Sequence, residues 1–328
     1  MSERSDRGSV ERGDPMDRGD PMDRLTAITD LSTEGVDAAF ADLDTLPTAG
    51  VLAALVAGQR RAIEAVAVAL SDLEWAADGI AERLADGGRL VYAGAGTSGR
   101  LGYLDAAELP PTFGFDRTVV LLAGGEEAMS RSQEGAEDDA EAAREAVAAA
   151  GIGPSDALIG IAASGRTPYT VEAVLAAREA GAFTVGIASV AGSPLLRAAE
   201  IGVWLDTGPE VLAGSTRLAA GTAQKASLNL LSTTVLVRLG GAYGNLMVGM
   251  QPTNEKLRLR AEAMVARATG ADAGAAAAAL DAADNDVRAA IVMLLAGVDA
   301  AEAAHALVEH GQRVRDAVAA LGVSPKRP

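Results

Sequence analysis

Apolar positions follow two rhythms along this chain. Over 51–85 they recur mostly at three- and four-residue spacing (Leu52, Leu55, Val56, Ile63, Val66, Leu70, Leu73). That spacing predicts a helix, stopped by Asp86-Gly-Gly88. Short continuous apolar runs follow. Leu90-Val-Tyr-Ala93, Val119-Val-Leu-Leu-Ala123, Ala157-Leu-Ile-Gly-Ile161, Thr184-Val-Gly-Ile-Ala188 and Gly202-Val-Trp-Leu205 predict five strands. Helices are predicted between them over 98–107, 136–149 and 169–180, and a long one over 215–239. Apolar strands alternating with helices argue for a parallel sheet covered on both faces. Ligands of such sheets gather at the carboxyl ends of the strands, so chemistry is expected in the loops after the first and third.

From 256 the pattern is almost wholly helical to 322, with breaks near Thr269-Gly270, Asp284-Asn285, Gly297 and Gly311. The predicted core there is Val287, Ile291, Leu294, Leu295, Leu307 and Val308. Residues 1–24 read differently. They hold a tandem hexapeptide, Arg12-Gly-Asp-Pro-Met-Asp17 and Arg18-Gly-Asp-Pro-Met-Asp23, with little apolar area to bury, and a disordered tail is expected. The expected division is a tail over 1–24, an α/β domain with an N-terminal helical segment over 25–255, and a helical domain over 256–328.

Charge and composition remove several classes of function. The 28 basic and 45 acidic residues give a net charge of −17 over 328 residues, which argues against nucleic acid and anionic lipid as partners. Cysteine is absent, so disulfides, thiolate metal sites and cysteine nucleophiles are excluded together. The two histidines, His305 and His310, are five apart and do not share a helix face well, so no metal site is expected. No apolar stretch reaches spanning length and no secretory leader is evident, so a soluble cytoplasmic protein is expected.

The first strand runs into Gly94-Ala-Gly96-Thr-Ser-Gly99-Arg100, and the third into Ala162-Ala-Ser164-Gly165-Arg166-Thr167-Pro168. Ser-Gly-Arg thus stands twice at the same topological position, each time just after a strand. Hydroxyls and backbone N–H groups at a helix amino end suit the oxygens of a phosphate monoester. The alternative is that these Ser and Thr residues are helix caps. The first loop also matches the Gly-x-Gly-x-x-Gly dinucleotide fingerprint, but the first acid after the second strand is Glu126, poorly placed for a ribose. Glu108 closes the predicted first crossover helix, where the helix dipole disfavours an acid, and Pro110-Pro111 follow. That placement suits a working acid. In the acidic cluster Glu126, Glu127, Glu134, Glu137, Asp138 and Asp139, the spacing selects no single residue.

Together these blocks resemble a known family. Val91–Gly114, Leu122-Ala-Gly-Gly125, Glu134-Gly-Ala-Glu-Asp138, Gly160–Tyr169, Gly221-Thr-Ala-Gln-Lys225, Gly244–Val248 and Asn254-Glu-Lys-Leu257 are similar, in order, to motifs of the N-acetylmuramic acid 6-phosphate etherases. The resemblance covers roughly 31–320. It implies a sugar isomerase (SIS) domain followed by a small ubiquitin-associated-like (UBA-like) helical domain, typically in a homodimer. It also implies release of D-lactate from carbon 3 of N-acetylmuramic acid 6-phosphate, by elimination and hydration, with no metal or organic cofactor. Carried over by motif, Glu108 is the acid at the lactyl oxygen and Glu137 the base at carbon 2. Thr97, Ser98, Gly99, Ser164, Gly165 and Thr167 hold the phosphate, and Glu210 and Lys225 line the sugar site. Leu109 and Ala107 depart from the residues common in relatives and remove no proposed catalytic group. A sugar-phosphate isomerase of the same fold, a sugar-phosphate-sensing regulator and a dinucleotide-dependent enzyme are the competing readings.

Overall fold

The computed structural model describes residues 32–324 apart from Ser132, so the tandem hexapeptide and the 24/25 boundary lie outside the described residues. The predicted helix over 51–85 is two helices, α1 (Thr48–Val68) and α2 (Leu70–Ala85). They meet at Ala69, whose N–H is shared between the carbonyls of Ala65 and Val66. The buried stripe of α1 is Ala54, Gly58, Ala62, Ala65 and Val66. Leu52, Val56 and Ile63, which the spacing places in the core, are exposed. Small side chains let α1 lie close to its neighbours: a Cβ on Gly58 would stand 2.9 Å from Val211 Cγ2. The larger apolar residues therefore face outward.

Five strands follow within one residue of their predicted bounds: β1 (Leu90–Gly94), β2 (Thr118–Leu122), β3 (Ala157–Ile161), β4 (Phe183–Ala188) and β5 (Ile201–Trp204). All pair in parallel, in the order β2-β1-β3-β4-β5. Between them run α3 (Gly96–Phe113), α4 (Ala140–Ala149), α5 (Pro168–Glu179) and the short α6 (Pro194–Ala198). The long helix α7 (Ala219–Leu236) follows β5. Strand side chains alternate between two cores. Tyr92, Ile159 and Ile161 join Ile80, Leu84 and Leu228 on one face. Val91, Ala93 and Leu158 join Val147, Val174 and Leu195 on the other.

The remaining chain forms α8 (Glu255–Thr269), α9 (Ala273–Ala282), α10 (Val287–Ala296), α11 (Ala300–Glu309) and α12 (Val314–Ala320). Left-handed residues separate them at Gly270, Asp284-Asn285, Gly297 and Gly311, the breaks read from the sequence. Their apolar core contains Val287, Ile291 and Leu307 as predicted, with Leu294 and Leu295 partly buried. Val308 is a correction: it is exposed, because α11 turns Ala303, Ala306 and Leu307 inward. This core also takes in Tyr243, Val248 and Met250, ahead of 256. No single helix among the described residues is long and apolar enough to cross a membrane.

Candidate active site

The chain leaves β1 toward β2 on one side and later enters β3 on the other, so α3 and α5 cover opposite faces of the sheet. The strand order reverses between β1 and β3, and such folds bind ligands at the carboxyl ends of the strands at that point. Gly94 and Ile161 are register partners, so both hydroxyl loops start side by side.

The first loop is shaped by close packing. A Cβ on Gly99 would stand 2.6 Å from the Gly94 carbonyl oxygen and 2.4 Å from Leu122 Cδ1, so Gly99 holds the first turn of α3 against β1. Gly96 is left-handed at φ +54°. The N-cap of α3 is Ala95, with no side-chain cap. Thr97 and Ser98 lie inside the first turn and are not caps, and the leading N–H groups of this 18-residue helix receive no side-chain acceptor. Ser98 is buried, and its Oγ donates to Gln224 Oε1 at 2.9 Å. Gln224 is 1% exposed, and its Nε2 has no partner among the described residues.

The second loop has the same character. Ser164 Oγ accepts from the Arg166 N–H at 3.2 Å. Gly165 has φ +62°, and a Cβ there would stand 2.1 Å from Ser193 Oγ. Thr167 is the N-cap of α5 without a side-chain cap bond, and Pro168 starts the helix.

A cleft of ≈ 230 Å³ adjoins the first loop, lined by Ala95, Gly96, Arg100, Gln133, Glu134 and Glu137 among others. Arg100 Nε donates to the Ala128 carbonyl at 2.9 Å. Glu137 sits exposed in a 3₁₀ turn, Ala136–Asp138. The fold thus brings Glu137 and Glu134 of the acidic cluster to the amino end of α3, a choice that spacing alone could not make.

Glu108 lies elsewhere. Helix α3 runs through Pro110 and Pro111 to Phe113 and is closed by left-handed Gly114, so Glu108 does not end it. The expected opposition between its charge and a helix end is accordingly reduced. Glu108 is exposed and stands twelve residues beyond Gly96, about 18 Å along the axis. It does not line the cleft that Glu137 lines.

Near Glu108 there is a polar network. Asp105, one turn earlier on α3, is buried. Tyr92 OH donates to its Oδ2 at 2.8 Å, and Lys225 Nζ reaches its Oδ1 at 3.5 Å. Lys225 also donates to Asn229 Oδ1 at 2.6 Å. Burial, then the charge of Asp105 and the hydrogen bond to it, push the Tyr92 pKa well above its ordinary value. Glu210 has a different occupation: it is 2% exposed, and its carboxylate accepts from the N–H groups of Ala219 (2.8 Å) and Ala220 (2.9 Å), the first residues of α7. Tyr92, Asp105, Gln224 and Asn229 were not singled out from the sequence. An acid three residues before Glu108 was the available signal for Asp105, and adjacency to Lys225 the signal for Gln224.

The chain matches the SIS domain over residues 137–234 and the glucokinase regulatory protein N-terminal SIS domain over residues 73–178. It is 52% identical over 297 residues to the N-acetylmuramic acid 6-phosphate etherase of Deinococcus radiodurans, covering 89% of this chain and 97% of that protein. The chain belongs to the N-acetylmuramic acid 6-phosphate etherase family. The etherase of Streptomyces coelicolor is 51% identical over 293 residues (88% of this chain, 94% of that protein). That of Mycolicibacterium smegmatis is 47% identical over 292 residues (88% and 98%). The match to the glucokinase regulatory protein SIS domain spans both hydroxyl loops, Glu108 and Glu137, and the fold is an SIS domain, a five-stranded parallel sheet flanked by helices, with a helical C-terminal region.

Proposed function

We propose that this protein cleaves the D-lactyl ether of N-acetylmuramic acid 6-phosphate with water, giving N-acetylglucosamine 6-phosphate and D-lactate in cell-wall amino sugar recycling. In the open-chain aldehyde the carbonyl acidifies the proton on carbon 2. A base removes that proton, the bond from carbon 3 to the lactyl oxygen breaks, and an acid protonates the departing oxygen. A double bond forms between carbons 2 and 3. Water then adds its hydroxyl to carbon 3 and a proton returns to carbon 2.

The observation that carries this reading is the cleft that joins Glu137 to the uncapped amino end of α3, in a chain of this family. Glu137 is the base. The phosphate sits at the two adjacent loops, on Thr97, Ser98, Ser164 and Thr167, with Gly99 and Gly165 allowing the close approach. Glu108 is the acid, and it acts in the site of a second copy. Its distance along α3 supports a homodimer, as do exposed Val68 (86%) and Trp75 (61%) and the exposed pair Tyr103 and Leu104 beside Glu108. Lys225 lines the sugar site, whereas Glu210 supports it through the start of α7.

The cytoplasm suits a phosphorylated sugar, whose charge keeps it from crossing a lipid bilayer. The separate apolar core from Tyr243 onward supports a distinct, UBA-like helical domain, with its boundary nearer 242 than 256. Incubation of the protein with N-acetylmuramic acid 6-phosphate, with D-lactate and N-acetylglucosamine 6-phosphate both assayed, tests the reaction. Binding of the sugar phosphate with no lactate released would refute catalysis and favour a sensor.

A further inference from the structure

The pair formed by Asp105 and Lys225 is lopsided: the carboxylate side chain is 4% exposed and the ammonium side chain 29%. Both carboxylate oxygens are taken, Oδ2 by Tyr92 OH and Oδ1 by Lys225. The carboxylate is thus fixed from behind by a buried phenol, and it fixes the lysine in turn. Asn229, one turn along α7 from Lys225, takes a second N–H of the ammonium. An ammonium has three donors, so one remains for a ligand.

Burying a carboxylate is costly unless it is paired and hydrogen-bonded, and here the arrangement holds one cation in a defined place at the surface. That place is next to Glu108. Asp105 and Glu108 are three residues apart on α3 and therefore neighbours on one face, about 5–6 Å between Cβ atoms. Whatever reaches Glu108 passes close to Lys225.

On the etherase reading, on which this inference rests, Glu108 meets the oxygen joining carbon 3 to the lactyl group. That group carries a carboxylate one carbon from the same oxygen, the only negative charge of the substrate apart from its phosphate. We propose that Lys225, held by Asp105, Tyr92 and Asn229, pairs with the lactyl carboxylate and so selects the ether substrate over sugar phosphates without the side chain. Asp105 is a positioning residue acting through Lys225. Glu108 and Lys225 lie on one patch of one protomer and engage the lactyl end together, whichever protomer holds the phosphate.

The test compares Lys225→Met, Lys225→Arg and Asp105→Asn with the unaltered protein. Calorimetry measures affinity for N-acetylmuramic acid 6-phosphate, for N-acetylglucosamine 6-phosphate, and for the 3-O-ethyl ether of the latter, which keeps the ether but has no carboxylate. Lys225→Met is expected to weaken binding of the lactyl ether about tenfold or more, the scale of one charge-assisted hydrogen bond. It should leave the other two ligands within about twofold of the unaltered protein. Lys225→Arg should keep most of the preference, and Asp105→Asn should lose part of it. Equal weakening of all three ligands by Lys225→Met would overturn the proposal and assign Lys225 to the phosphate or to the fold. Thermal midpoints separate those two, and if Lys225→Met does not fold, the Lys225→Arg and Asp105→Asn preferences decide. Absence of lactate release by the unaltered protein would count against the etherase reading alone, because the affinity comparison does not depend on turnover.

Discussion

If Glu108 serves the neighbouring subunit, two inactive proteins will make an active one. Glu108 stands twelve residues beyond Gly96, and at 1.5 Å per residue that is about 18 Å from the loop proposed to hold the phosphate. The four carbons from the phosphate ester to the lactyl ether do not span that distance. Glu137 adjoins the first hydroxyl loop of its own chain. On the proposed reading each working site would therefore take Glu137 from one protomer and Glu108 from the other. On that reading Glu108→Gln would remove the proton donor to lactate, and Glu137→Gln the base at carbon 2. Each alone is expected to lower lactate release by about 10²–10⁴-fold, the usual contribution of a positioned acid or base. Glu108→Gln should still exchange the carbon 2 proton with solvent deuterium, since its base is intact. When the two variants exchange subunits, half of the dimers are mixed. Each mixed dimer has one site with both glutamates replaced and one with both present, so lactate release should return to about a quarter of the unaltered rate. Subunits exchanged through mild denaturant, followed by a lactate assay, give the measurement. Activity that stays at the level of the single variants would refute the shared site and require both glutamates to act within one chain.

Glu210→Gln should act on stability before binding. It removes one of two charge-assisted bonds to the Ala219 and Ala220 N–H groups and the favourable charge at the start of α7, about 3 kcal/mol together. A melting temperature near that of the unaltered protein, with KM raised, would return Glu210 to the substrate. Ser98→Ala should cost about 1–3 kcal/mol, because the buried Gln224 loses its donor, and should raise KM as well. Ser164→Ala, whose hydroxyl only accepts from the backbone, should raise KM with little change in stability. Loss of KM effects in both variants would remove the phosphate from these loops. Asp156 opposes its burial with bonds from the Arg89 side chain and the Arg89 and Gly153 N–H groups, and its pKa is lowered below the usual carboxylate value. Its contribution is therefore full above a pH of about 4 and is lost as the pH falls through the depressed value. Asp156→Asn should lower stability by about 3 kcal/mol at pH 7 and flatten the acid limb of the stability profile. An unchanged acid limb would contradict the assignment.

The sheet was legible because each strand is a short apolar run between turn residues, a pattern that tertiary packing had no reason to alter. The helical breaks at Gly270, Gly297 and Gly311 were legible for a similar reason, since each needs a left-handed residue. Helix ends set by packing were not. Pro110-Pro111 reads as a stop, yet their missing N–H groups leave only the carbonyls of Ala106 and Ala107 without helical donors, and α3 continues to Gly114. The α1 face was misread because four of the five residues in the stripe that packs are Ala or Gly, whereas spacing arguments follow large residues. At the site, motif position pointed to two loops that start side by side on β1 and β3 and to Glu137, which lines the cleft beside the first, while Glu108 stands apart along α3. The occupation of Ser98 by Gln224 and of Glu210 by α7 depends on contacts between segments more than a hundred residues apart or across a turn, which spacing does not encode.

The open amino end of α3 has one more consequence. A helix that supplies no side-chain cap of its own is unfinished, and on the proposed reading its missing acceptor would arrive with the phosphate. Substrate is then a structural component as well as a reactant. Any ligand that binds only the folded protein adds about 2.7 kcal/mol at a hundredfold excess over Kd. Here that gain falls on the turn that joins β1 to the rest of the catalytic layer. The protein would be firmest while muropeptide sugars are passing through it and loosest when they run out, so its lifetime in the cell would follow the supply of the molecule it consumes.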